Sequence, residues 1–143
     1  MNVRDIMTAE VIVASPDDDL MRAAQLMESH DFGSLPIGDN GRLIGMLTDR
    51  DITIRATASG TDANATPVRD VMTPDIVYCF EDQNVEDAAQ LMEDKQIRRL
   101  VVLNRKKRLV GIVSLGDLAV KAADDRLSGE ALERVSEPAL PVR

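Results

Sequence analysis

Two stretches combine residue types that could bind a small anionic molecule. One is Gly45-Met46-Leu47-Thr48-Asp49-Arg50-Asp51 and the other is Gly111-Ile112-Val113-Ser114-Leu115-Gly116-Asp117. Both read glycine, two apolar residues, a hydroxyl residue, two variable positions and aspartate. A hydroxyl residue three places before a carboxylate at a helix start is a capping box, which needs only the physics of helix ends. The same geometry suits chemistry. A helix N-terminus presents unpaired N–H groups and a positive dipole end, which hold phosphate. The hydroxyl adds a hydrogen bond, and a carboxylate one turn along can accept both hydroxyls of a ribose. The glycine is expected to clear room for a closely approaching ligand. Both readings stand on the residues alone.

The elements around these stretches come in two copies. Val-Arg-Asp-Ile-Met-Thr at 3–8 returns as Val-Arg-Asp-Val-Met-Thr at 68–73, and Ala-Ala-Gln-Leu-Met-Glu at 23–28 returns unchanged at 88–93. A close repeat present twice means two copies of one small unit. Copy one opens with a short segment, then an apolar run, Val11–Ala14, that reads as a strand. Ser15-Pro16-Asp17-Asp18 reads as a helix start, with Ser15 as cap. Leu20, Ala23, Ala24 and Met27 then recur at helical spacing. Leu35–Ile37 and Leu43–Leu47 flank Asn40-Gly41, a hairpin signal. A second helix is expected from Asp49 toward Ser59.

Copy two repeats this order. Ile76–Phe80 reads as a strand, Val85 to Met92 as a helix face, and Leu100–Leu103 with Leu109–Val113 as a hairpin. Its turn, Asn104–Arg108, is one residue longer than that of copy one, so Gly45 aligns with Gly111 at an offset of 66. A last helix is expected from Leu115 to Asp125. The expected fold is α+β (α/β): two β-α-β-β-α repeats at 1–60 and 68–125, a linker at 61–67 and a poorly ordered tail at 126–143. Neither repeat would bury enough surface alone, so a shared core with pseudo-two-fold symmetry is expected. Spare apolar residues on the helices (Met21, Leu26, Leu91) suggest a homodimer.

Composition narrows the function. The net charge of −8 argues against nucleic acid as a partner. No apolar run reaches the ~20 residues of a membrane helix, and the start lacks a signal-peptide pattern. One cysteine, Cys79, fits a reducing compartment, so a cytoplasmic setting is expected. Cys79 lies in an apolar run and reads as a buried small hydrophobe. His30 is the only histidine; no metal spacing surrounds it, and it reads as the cation ending the first helix. Asp17-Asp18-Asp19 has a helix-dipole explanation, and Lys106-Lys107-Arg108 reads as a solvated turn. No catalytic set assembles, so no enzyme, catalytic cofactor or metal is expected.

The repeat order, the Arg-Asp-Val-Met-Thr opening and the paired Gly-x-x-Thr/Ser-x-x-Asp motifs resemble a tandem CBS-domain protein, or Bateman module, of the stand-alone bacterial type. The resemblance covers about residues 3–122. It implies binding of an adenosine ligand (AMP, ADP, ATP, NAD(H) or S-adenosylmethionine) in clefts between the repeats, pairing into a dimer and an unidentified regulated protein partner. Carried onto this chain, it places Asp117, Ser114, Ile112, Arg98, Arg99, Thr8, Val11, Ile12, Phe32 and Gly33 at one site. Asp51, Thr48, Met46, Arg50, Thr73, Ile76, Val77 and Ile97 would form the other. Where copy two has Arg98 and Arg99, copy one has Gly33 and Ser34, and copy two has Gly116 in the place of Arg50. The Asp117 site is therefore expected to favour phosphate. An interaction scaffold with degenerate sites is the alternative.

Overall fold

The structure is a computed structural model, and it describes residues 1–121. The expected tail at 126–143 and the end of the last helix at Asp125 lie outside the described residues. The chain divides into two compact units, and their boundaries differ from those of the sequence repeats. A continuous unit spans Ile12–Ile76, and a split unit joins Met1–Val11 to the chain from Val77 onward. The reason is an exchange: the opening segment of each copy packs with the body of the other.

In the continuous unit, helix α1 covers Leu20–His30. Its cap is Asp19, whose carboxylate accepts from the Arg22 N–H at 2.7 Å. Ser15, expected as the cap, instead lies in a tight turn: its N–H donates to Asp18 Oδ2 at 2.9 Å and its hydroxyl accepts from Asp17 N–H at 3.2 Å. His30 falls in the last turn of α1, where the dipole favours a cation. Strands β1 (Ser34–Asp39) and β2 (Arg42–Thr48) form the expected antiparallel hairpin. Asn40 (φ 53°) and Gly41 (φ 78°) are both left-handed, as the tight primed turn requires. Helix α2 (Asp49–Asp51) continues with π winding over Ile52–Thr57, shown by the bond from Ala58 N–H to Thr53 O at 2.9 Å.

The split unit holds β3 (Tyr78–Phe80), α3 (Val85–Lys95), β4 (Arg99–Leu103), β5 (Leu109–Ser114) and α4 (Leu115–Lys121). Its sheet runs β3-β4-β5, with β3 parallel and β5 antiparallel to β4. Arg105 in the β4–β5 turn pairs with Asp82 at 2.8 Å and lies 4.1 Å from the centre of the Phe80 ring. The guanidinium holds the Asp82 carboxyl below its usual range.

The strand expected at Val11–Ala14 is absent; only Ala14 bridges, in parallel, to Ile37. Ala14 donates to Pro36 O at 3.1 Å and accepts from Gly38 N–H at 2.9 Å. The next donors on either side would be Pro36 and Pro16, and neither has an N–H. Copy two has Val101 and Glu81 at these positions, and Glu81 N–H donates to Leu103 O at 2.9 Å. Two prolines thus shorten one copy's sheet.

Each opening segment is a short 3-10 turn, Val3–Asp5 or Val68–Asp70. Val3 donates to Gln83 O at 2.8 Å in the split unit, and Val68 donates to Asp18 O at 2.8 Å in the continuous one. Val3 and Ile6 are fully buried with Leu100, Met92 and Leu118, while Val68 and Val71 are buried with Leu20, Leu35 and Leu47. Burying one such side chain stabilises by about 1.5–3 kcal/mol. The buried residues form two clusters, one in each unit. Leu26 and Leu91 pack partly onto these clusters and are not spare, whereas Met21 is 40% exposed.

The segments seat on glycine. A Cβ on Gly111 would stand 2.6 Å from Met7 Sδ and 2.9 Å from Thr8 O; one on Gly45 would stand 2.8 Å from Met72 Sδ and 3.1 Å from Thr73 O. The expected ligand clearance at these glycines is corrected: they make room for the opening segments. Gly45→Ala and Gly111→Ala should each destabilise by about 1–3 kcal/mol, because backbone must shift. Gly116→Ala, whose Cβ would meet only Ser114 Oγ at 3.5 Å, should cause no loss. Urea unfolding of the three variants checks this.

Candidate functional site

Ile112 and Thr8 pair through both backbone bonds, Thr8 N–H to Ile112 O at 2.8 Å and Ile112 N–H to Thr8 O at 3.0 Å. Thr8 is thereby laid along the outer side of β5, with an exposed side chain. Ile112 faces Val101 across the hairpin, and Ser114 faces Arg99. Arg98 O accepts from Leu115 N–H at 2.9 Å, which fixes the start of α4 beside the arginine pair. At that start, Ser114 N–H donates to Asp117 Oδ2 at 2.8 Å and Asp117 N–H donates to Ser114 Oγ at 3.1 Å. The capping box is thus formed. Arg98 and Arg99 are exposed, and neither makes an ion pair among the described residues. Val11 belongs to the same unit, while Ile12, Phe32 and Gly33 belong to the continuous one.

The continuous unit repeats this arrangement. Thr73 and Met46 exchange backbone bonds of 2.9 and 2.8 Å, and Ser34 faces Thr48. Thr48 N–H donates to Asp51 Oδ2 at 3.0 Å, and Asp51 N–H returns a 3.0 Å bond to Thr48 Oγ1. Ile76 lies in this unit, and Val77 and Ile97 lie in the split one. Arg50 is exposed. At Gly33 an added Cβ would stand 2.8 Å from Asp49 Oδ2, so a side chain there would meet that carboxylate. In copy two the residue matching Asp49 is Leu115, and Arg98 is tolerated.

Sequence reasoning passed over Arg55. Its Nε lies 3.8 Å from Asp51 Oδ1, and its Nη1 donates to Val71 O at 3.3 Å and Met72 O at 3.5 Å. The signal available was its spacing, one helical turn after Asp51, which sets opposite charges side by side. Phe32 stacks on His30 with ring centres 5.6 Å apart, so the histidine's ring has a packing role.

Cys79 is buried in the split unit's core, and burial pushes its thiol up to about 11. Among the described residues, no three His, Cys, Asp or Glu side chains gather as a metal-holding group. No helix of the described residues is long and apolar enough to cross a membrane.

The arrangement is a duplicated pair of hydroxyl–carboxylate boxes, each following by two residues a strand position bridged to a threonine of the other copy's opening segment. A family model of the CBS domain matches at residues 3–56 and again at 68–124. The chain belongs to the CBS domain family. It carries a pair of CBS domains, and its α+β fold agrees with the solved CBS pairs it matches. The CBS domain-containing protein YhcV of Bacillus subtilis is 45% identical over 135 residues, 94% of this chain and 95% of that protein. Hypoxic response protein 1 of Mycobacterium tuberculosis is 43% identical over 117 residues, 81% of each chain. Among solved structures, a Hypoxic Response Protein I with two coordinated zinc ions matches with a TM-score of 0.76 and 41% identity, covering 85% of this chain and 98% of that one. The CBS domain pair of protein MJ0100, in complex with 5-methylthioadenosine and S-adenosyl-L-methionine, matches with a TM-score of 0.71 and 30% identity, covering 83% and 93%.

The buried thiol in this CBS pair gives a direct test. Cys79 ionises near 8.5 in an unfolded chain but near 11 in the fold, so the folded state keeps it neutral. Its contribution to stability is present below about pH 8.5 and is lost as pH rises toward 11. At pH 8, iodoacetamide should alkylate native Cys79 roughly a hundredfold more slowly than urea-unfolded protein. Mass spectrometry of quenched samples checks the ratio.

Proposed function

We propose that this CBS pair is a non-catalytic regulatory module that binds an adenosine-containing ligand (AMP, ADP, ATP, NAD(H) or S-adenosylmethionine) and signals by conformational change. The observation that carries this reading is the duplicated box, Thr48–Asp51 and Ser114–Asp117, each beside a backbone-anchored threonine, Thr73 or Thr8. The complex of the MJ0100 CBS pair with two adenosine compounds supports that ligand class. Each box supplies what a nucleoside needs. An ionised carboxylate offers about four acceptor sites, so it can accept ribose hydroxyls while holding the cap N–H. The Ser114 or Thr48 hydroxyl stands at a helix start, near phosphate, and Ile112 or Met46 offers an apolar edge to the base. At the first site the candidate residues are Thr8, Val11, Ile12, Phe32, Gly33, Arg98, Arg99, Ile112, Ser114 and Asp117, and at the second Met46, Thr48, Arg50, Asp51, Thr73, Ile76, Val77 and Ile97.

The two sites are unequal in charge. Arg98 and Arg99 bring two exposed guanidinium groups to the Ser114–Asp117 box, which favours a phosphorylated ligand there. Asp51 is opposed by Arg55 at 3.8 Å. That opposition gives the scaffold reading its one specific support, since an occupied carboxylate is a degenerate ribose site. Signalling requires that a ligand bind two geometries with different affinity. A homodimer in the cytoplasm, working on a protein partner, completes the proposal.

Calorimetric titration with AMP, ATP, NADH and S-adenosylmethionine should show saturable binding of at least one; binding of none would overturn the adenosine reading. Asp117→Ala should weaken binding at least tenfold, the cost of a lost charged hydrogen bond of about 1.5–3 kcal/mol. Arg98→Ala with Arg99→Ala should weaken AMP more than S-adenosylmethionine, and steepen no salt dependence for the latter.

A further inference from the structure

We infer that Arg55 is a positioning residue that relays the state of the Asp51 carboxylate to the opening segment of copy two. The inference rests on the proposed ligand site for its biological use, although the relay itself is a property of the protein alone. One guanidinium bridges two structures. Its Nε faces Asp51 Oδ1 at 3.8 Å, and its Nη1 reaches the carbonyls of Val71 and Met72 at 3.3 and 3.5 Å. The Asp51 carboxylate is anchored at its other oxygen by Thr48 N–H, so it is held in one orientation toward Arg55. The carbonyls belong to the segment that seats Met72 against Gly45 and pairs Thr73 with Met46.

The arginine's fork allows this. Five donors on a rigid plane can serve a carboxylate and two carbonyls together, which an ammonium point charge does less well. The residue aligned with Arg55 in copy two is Lys121, which carries no guanidinium fork. The winding helps as well, because Arg55 stands in the π-helical stretch Ile52–Thr57 that follows α2. A ligand whose ribose hydroxyls draw on Asp51 weakens its hold on Arg55. The guanidinium then shifts its bonding to the segment's carbonyls, and the grip on Val71 and Met72 changes with occupancy.

Hydrogen exchange of full-length protein reads the relay at two amides, Met72 N–H on Val68 O at 2.9 Å and Thr73 N–H on Met46 O at 2.8 Å. Without ligand, Arg55→Met should speed exchange at both by roughly three- to tenfold. Asp51→Asn, which keeps an acceptor for the cap, should alter exchange there in the Arg55 background but add nothing in the Arg55→Met background. In these ligand-free comparisons the amides of Thr8 and Ile112 serve as controls and should not respond. Independent, additive effects of the two substitutions would overturn the relay, as would unchanged exchange in Arg55→Met. With saturating AMP as probe, wild type should change exchange at Met72 and Thr73, and Arg55→Met should lose that response; an equal response in both would also overturn it. If AMP does not bind wild type, the ligand reading fails for AMP, and the ligand-free pair of substitutions still decides the relay.

Discussion

Glycine against methionine is the constraint on which the rest depends. Met7 and Thr8 lie so close to Gly111, and Met72 and Thr73 so close to Gly45, that an added Cβ at either glycine would force its neighbours to shift. This proximity lets the opening segments run beside β5 and β2 and exchange two backbone bonds with each. The same seating carries Val3 and Ile6 into one core and Val68 and Val71 into the other. A half-size unit short of apolar surface gains two buried aliphatic side chains from the other copy's segment. The exchange therefore answers the shortage of core that a unit of this size faces alone.

The candidate sites follow from that exchange. Thr8 reaches the Ser114–Asp117 box only because its segment is seated on copy two's hairpin, and Thr73 reaches the Thr48–Asp51 box by the matching route. Each threonine and the box on its hairpin thus come from two sequence copies within one compact unit. A duplicated chain builds two such groups at once, and divergence then sets their chemistry. Copy two spends the position before β4 on Arg98. Copy one has Gly33 there, where an added Cβ would crowd the Asp49 carboxylate.

Much of this was legible in the residues. The tight Asn40-Gly41 turn, the β1–β2 and β4–β5 hairpins, the faces of α1 and α3 and the two capping boxes follow from local patterns that act over a few residues. What the sequence hid was set at longer range. Pro16 reads as a helix start, yet its structural effect lies in the sheet, where it and Pro36 remove the donors that would extend Ala14 into a strand. Ser15 resembles a cap, but Asp19 takes the role because the turn at 15–18 consumes the serine's bonding. Gly45 and Gly111 resemble ligand clearances, but the atoms above them come from segments distant in the chain. Arg55 was visible as a partner for Asp51 by spacing. Its reach to Val71 and Met72 was not, because that contact depends on where the opening segment docks.

The capping boxes also explain how one motif can serve stability and binding together. Each box is satisfied within the chain: the hydroxyl and the carboxylate each accept a backbone N–H. Ligand binding at such a place adds to a satisfied helix end instead of filling a gap. The helix start stays ordered before a ligand arrives, so little of the binding energy goes to ordering side chains. The affinity is then governed by what surrounds the box. Ser114 faces the exposed Arg99 across its hairpin, whereas Thr48 faces Ser34 and Arg55 lies beside Asp51. Two boxes alike in their local geometry are therefore expected to differ in ligand strength, because the difference lies in the neighbours and not in the motif.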